Sequence, residues 1–139
     1  MSDQNAGVIV GEGYAAASLG DIGDGPGFRK IRTALGVKEL GINAIVMPPG
    51  IETGAHWHDR QEEVYFVHQG LVRWTLGEND EHTVTLGPGG VLRVDAQTHR
   101  SLKNVGDTDA VYVIVGAHGG YVGRDGNIRE GDTRITAGR

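Results

Sequence analysis

The chain contains no cysteine. Disulfides and thiolate ligands are therefore excluded, and any metal must be held by nitrogen and oxygen. Basic residues are also few. Thirteen Lys and Arg stand against 18 Asp and Glu, giving a net charge of −5. No run of Lys and Arg offers the basic patch that phosphate binding needs, which argues against a nucleic-acid partner. No hydrophobic stretch is long enough to span a membrane as a helix. The opening residues, MSDQNAGVIVGEG, lack a basic region followed by an apolar stretch, so no signal peptide is expected and a cytoplasmic location is. Helical periodicity is nearly missing, and there is no internal repeat of the length a solenoid requires.

What the chain has in plenty is glycine, 24 in 139 residues, against an average share of roughly 7%. The glycines flank β-branched runs, as expected of an all-β fold with many tight turns. The length suits a single domain over residues 1–139, with its core at about 28–118. Residues 1–7 are polar and predict a loosely docked end. Val8 to Val10 reads as an edge strand, and Leu19 to Gly27 as a loop whose aspartates are solvated turn residues. Phe28 to Leu35 fits a short helix or a strand equally. Strands are then expected at Gly41 to Pro48, Glu63 to His68, Leu71 to Leu76, His82 to Leu86, Val91 to Val94, His99 to Val105 and Ala110 to Val115. The second and third of these follow each other across Gly70, which predicts a hairpin. The tail from Gly116 is rich in Gly, Arg and Asp, and packing on a neighbour is expected to order it. This count of short strands indicates a β-sandwich or small barrel.

Chemistry concentrates in Gly50 to Gly70, GIETGAHWHDRQEEVYFVHQG. His56 and His58 are two apart, so on a strand they share a face, roughly 6.6 Å from each other along the backbone. Two imidazoles so placed can converge on one metal ion. The acidic pair Glu62–Glu63 follows, then an apolar strand, and a further histidine stands downstream at His99. Alternation puts Glu63, Tyr65 and Val67 on an inner face, with Val64, Phe66 and His68 outside.

These residues resemble the cupin superfamily. Its first motif, G(X)5HXH(X)3,4E(X)6G, is met without a gap by Gly50, His56, His58, Glu63 and Gly70, and the count to Gly70 selects Glu63 over Glu62. The second, G(X)5PXG(X)2H(X)3N, is met less well. Gly87 or Gly89 opens it, and His99 falls where the last ligand would be. Val94 then stands at the Pro position and Ala96 at the Gly position, and four residues rather than three separate His99 from Asn104. A β-bulge would absorb the extra residue; the competing reading is a slipped register that brings Arg100 into the pocket instead.

The resemblance implies a double-stranded β-helix, or jelly-roll barrel, that holds one divalent metal ion by His56, His58, Glu63 and His99. It also implies a homodimer in which N-terminal strands pair across the subunits. Three imidazoles and a carboxylate suit Fe(II), Mn(II), Ni(II) or Zn(II) and leave coordination positions open for a small-molecule substrate. Tyr65, by alternation near the metal, and His118, if it faces the barrel mouth, are the expected proton-handling groups. His68 and His82 read as surface residues, Trp57, Trp74 and Met47 as packing, and Arg93 and Arg100 as a solvated face or an anion site. The function expected first is a metal-dependent dioxygenase. The alternatives are a metal-dependent isomerase or lyase acting on a sugar or keto acid, and a binding module without turnover.

Overall fold

The computed structural model describes residues 7–134; the polar residues ahead of Gly7 and Ile135 in the tail lie outside them. Among the described residues twelve strands form, almost all short and bounded by the glycine-rich turns. A hairpin of β1 (Ile9–Gly11) and β2 (Tyr14–Ala16) stands apart as a two-stranded sheet. The undecided stretch after it contains both elements, a strand β3 (Gly27–Arg29) and one helical turn α1 (Ile31–Leu35), closed by Gly36 in the left-handed conformation.

The remaining strands are β4 (Gly41–Met47), β5 (His56–His58), β6 (Glu62–Gln69), β7 (Val72–Leu76), β8 (His82–Leu86), β9 (Val91–Val94), β10 (Arg100–Asn104), β11 (Ala110–Ala117) and β12 (Gly126–Ile128). They make two five-stranded antiparallel sheets, β12-β5-β10-β7-β8 and β3-β4-β11-β6-β9. The non-sequential strand order is that of a jelly roll, in which the chain passes repeatedly from one sheet to the other.

Three expectations are corrected here. β6 and β7 do not form a hairpin across Gly70, because they belong to different sheets. Gly70 is instead a corner, with φ of +86° and a position where a Cβ would come within 2.7 Å of Ala110 Cα, so only glycine fits. β10 contains no bulge: its five residues pair one by one with β7, from Arg100 opposite Leu76 to Asn104 opposite Val72. The tail does not need a neighbour to order it. β12 pairs with β5, and Val122 is buried against the chain's own barrel.

The core lies between the sheets and is built from alternate residues. In β6 the odd positions Glu63, Tyr65 and Val67 are buried and the even ones exposed. Tyr65, Val67, Trp74, Leu102 and Tyr112 meet Ile45 and Met47 in one cluster, with the rings of Tyr65, Trp74 and Tyr112 in tilted or edge contact. Asn104 joins the sheets from within. Its amide donates to the carbonyls of Met47 and Thr108, and its oxygen accepts from the Gly106 N–H.

Candidate metal centre

One end of the inter-sheet space is left open as a cavity of about 400 Å³, within the usual range for small-ligand sites. Its floor is lined by Tyr65, Leu102, Tyr112 and Ile114 and its wall by His56, His58 and Glu63, while Lys30, Arg32 and Arg124 bring positive charge to its lining. Arg32 is held there by Tyr121, its guanidinium lying 4.1 Å from the ring centre.

Alternation along β5 turns His56 and His58 to the same side, their rings 5.3 Å apart and nearly perpendicular. Glu63, near the start of β6, faces them from the opposite sheet. One donor atom from each of the three lies within 4.8 Å of the others. Gly116, opposite Glu63 on β11, leaves room for this approach, since a Cβ there would come within 2.3 Å of the Gln61 amide oxygen and 3.4 Å of Glu63 Cγ.

The hydrogen bonds around the three donors favour a cation. His58 Nδ1 lies 2.8 Å from Asp125 Oδ1. Burial works against the Asp125 charge, but the Gln61 amide and the backbone N–H groups of Arg60 and Gln61 outweigh it and hold the carboxyl well below its ordinary range. As an ionised carboxylate it can only accept, which places a proton on Nδ1 and, in the neutral ring, leaves the lone pair on Nε2. That Nε2 is buried, 3.3 Å from Glu63 Oε1, and has no hydrogen-bond partner among the described residues. A carboxylate behind a histidine whose other nitrogen faces an acidic oxygen is the arrangement that orients a metal-ligating imidazole.

Glu63 is fixed from the other side by Tyr65, whose hydroxyl donates to Oε1 at 2.9 Å. Burial pushes the Glu63 carboxyl up, but His58, the Arg100 charge and the Tyr65 hydroxyl together bring it below its ordinary value. Burial also lowers His58, and the carboxylates of Glu63 and Asp125 more than restore it. The Tyr65 hydroxyl, buried and beside the Glu63 charge, is raised well above its ordinary value and stays protonated.

The structure brings His56, His58, Glu63 and Tyr65 together, and places His99 and His118 elsewhere. His99 precedes β10 and stacks flat on Trp57, ring centres 4.1 Å apart, on the outside of the sheet; its Nδ1 accepts from Arg129 at 3.2 Å. The reason is phase. His56 is paired with Arg100, so Arg100 shares its inner face and His99 shares the outer face with Trp57. His118 lies beyond the end of β11 on an exposed turn, where alternation no longer governs direction. Tyr112, Ile114 and Gly116 do line the cavity as that alternation requires. His68 and His82 are exposed on outer faces, and Met47 and Trp74 are core. Sequence reasoning missed Asp125 and Gln61, which no motif spacing connects to the histidines.

The Cupin domain family matches residues 44–116, more than half of the chain. The chain is a cupin. No curated protein matches it, but solved cupin-like structures do. A conserved protein with a double-stranded β-helix domain from Klebsiella pneumoniae is 18% identical, covers 66% of this chain and 76% of its own, and superposes with a TM-score of 0.58. A structure described as a putative sugar phosphate isomerase from Acidithiobacillus ferrooxidans is 25% identical over 64% of this chain and 56% of its own, with a TM-score of 0.57. A DMSP lyase from Ruegeria pomeroyi is 19% identical over 68% of this chain and 46% of its own, with a TM-score of 0.58. The cupin thus spans about half the length of the last two. Among the described residues no helix is long and apolar enough to cross a membrane.

Proposed function

We propose that this cupin is a metal-dependent enzyme acting on a small molecule, of dioxygenase type, with His56, His58 and Glu63 as the metal ligands. The observation that carries the reading is the buried Nε2 of His58, which lies 3.3 Å from Glu63 Oε1 without a well-formed hydrogen bond among the described residues and is anchored through its other nitrogen. Two imidazoles and one carboxylate with open positions are the donor set of non-haem iron oxygenases. The metal would supply a Lewis-acidic or redox-active centre beside the cavity. The chain's own side chains have separate tasks. Asp125 and Gln61 keep His58 in one tautomer and orientation. Tyr65 holds Glu63 by its hydroxyl, and the cations at Lys30, Arg32 and Arg124 favour a substrate with negative charge. The apolar floor of Tyr112, Leu102 and Ile114 excludes water from the reacting end.

The test is oxygen uptake by Fe(II)-loaded protein with a panel of enols and diketones, alongside metal analysis of protein purified without added metal. Uptake with one member of the panel, lost in His58→Ala, is expected. No uptake with any member overturns the dioxygenase reading.

The second reading is a lyase or isomerase on a sugar or keto acid, in which the metal polarises a carbonyl. The protonated Tyr65 and the cationic lining favour it, as do the activities named for two of the similar structures. Retained Zn(II) or Mn(II) with oxygen-independent turnover would decide for it. A binding module without turnover is the third. The engagement of Tyr65 with Glu63 and the position of His118 on an exposed turn outside the cavity lining favour it over any mechanism needing a free general base. A homodimer in the cytoplasm completes the proposal; the exposed Ile9, Val10 and Tyr14 of the β1–β2 hairpin supply an apolar surface for a second copy, and light scattering of the purified protein checks it.

A further inference from the structure

Arg100 is fully buried on the inner face of β10, directly opposite His56. Counting back from Asn104 by the second motif's own spacing reaches the same residue. Three residues separate Arg100 from Asn104, and Gly89, Asp95 and Gln97 then fall at the motif's Gly, Pro and Gly positions. The place of the fourth, histidine donor is thus taken by an arginine. A guanidinium has no lone pair to give and stays charged. Arg100 Nη2 donates to the Asp95 carbonyl at 2.9 Å and Nη1 to that of Ala96 at 3.3 Å. The Ala96 carbonyl also receives the His58 N–H at 2.8 Å, so the guanidinium is tied to the strand that carries the two histidines. Its Nε is buried and has no hydrogen-bond partner among the described residues.

The substitution changes the charge of the site as well as its donor count. Glu63 and Arg100 cancel, and the two imidazoles are neutral when ligating. Of the charged groups touching the donors, only the Asp125 carboxylate behind His58 would then offset a divalent ion, and part of the ion's charge would stay uncompensated in a largely buried place. Three protein donors leave half of an octahedral shell open, enough for a ligand that grips by two oxygens. Lys30, Arg32 and Arg124 carry the same sign around the cavity.

Resting on the three-ligand reading above, we propose that this centre takes up its metal together with a chelating dianion, the two binding as one unit, because Arg100 replaces the fourth donor with a fixed positive charge. The substrate class is then a small dicarboxylate, or a carboxylate with an adjacent ionised oxygen.

Equilibrium dialysis against Mn(II), compared at equal free metal with malonate or with acetate, tests this. Malonate, which can chelate, should tighten Mn(II) binding about tenfold or more over acetate, and Mn(II) should tighten malonate binding by the same factor. Arg100→His should bind the bare ion more tightly and lose most of the malonate effect, whereas Arg100→Lys should keep it. Equal Mn(II) affinity in malonate and acetate for the native chain overturns the proposal while leaving the three-ligand reading intact. No Mn(II) binding under either condition overturns both. If Arg100→His fails to fold by circular dichroism, the native chain and Arg100→Lys decide the matter: loss of the malonate effect in the lysine variant counts against it.

Discussion

Asp125 is the side chain on which the orientation of the candidate site depends most. It accepts hydrogen bonds from two backbone N–H groups, an amide and the His58 imidazole, and it is not among the three converging donors. Asp125→Asn retains the shape but can turn an N–H toward His58 Nδ1 and invert its tautomer. Metal affinity is expected to fall about 10–100-fold, and because the Asp125 carboxyl is itself held well below its ordinary range the metal-free protein should also melt lower at neutral pH, measured by metal titration and thermal unfolding of the same preparation. His56, His58 and Glu63 could be read in the sequence because they sit close together and strand alternation converts their spacing into geometry. His99 could not be placed that way. It is the immediate neighbour of Arg100, and a one-residue difference in phase is the difference between the two faces of a sheet. The buried positions of Leu102 and Asn104, both in phase with Arg100, contain the information that decides it. Asp125 left no such trace, since its partners are 64 to 67 residues away.

Among the elements, β12 and the turn after it explain why a polar, glycine-rich tail is ordered. β12 pairs with β5 through Gly126–His58, Asn127–Trp57 and Ile128–His56. Beyond it Asp132 accepts the Ala55 N–H at 2.9 Å and an ion pair from Arg134. Arg134, then the Ala55 and Arg134 N–H groups, outweigh burial and hold the Asp132 carboxyl well below its ordinary range. A carboxyl lowered on folding stabilises the protein at pH above its unfolded value, about 3.9, and that contribution fades as pH falls through the lower folded value. Asp132→Asn should therefore cost about 1–2 kcal/mol at neutral pH, and the gap between variant and native chain should close progressively below about pH 4, read by urea unfolding across pH. The sequence pattern predicted most strands correctly because short β-branched or alternating runs stand between glycine-rich turns, as in the wholly apolar Ala110 to Val115 and the alternating His82 to Leu86. It misjudged the link between β6 and β7, since a tight turn after a strand looks the same whether the next strand returns beside it or crosses to the facing sheet.

At the scale of the molecule, the barrel is asymmetric. One end is filled by Trp74, Met47, Val67 and Val72, all essentially inaccessible to solvent, and the other is kept open for the cavity. The filled end should bear most of the stability. Trp74→Ala is expected to cost about 3–5 kcal/mol, with an unchanged denaturant slope if the fold is retained. Cavity-lining changes such as Ile114→Val should cost about 0.5–1.5 kcal/mol or less, because one side of that residue already faces open space.

The pairing of β12 with β5 also sets an order of events during synthesis. His58 leaves the ribosome 67 residues ahead of Asp125, an interval of roughly 3–13 s at about 5–20 residues per second. Throughout that time the two histidines are present without the carboxylate that orients one of them or the strand that fixes their edge of the sheet. A growing chain would hold whichever ion it met by flexible, interchangeable ligands. Any preference of these ligands for one metal over another would therefore be acquired only once Asp125 and β12 have been made and have closed on the strand that was made long before them.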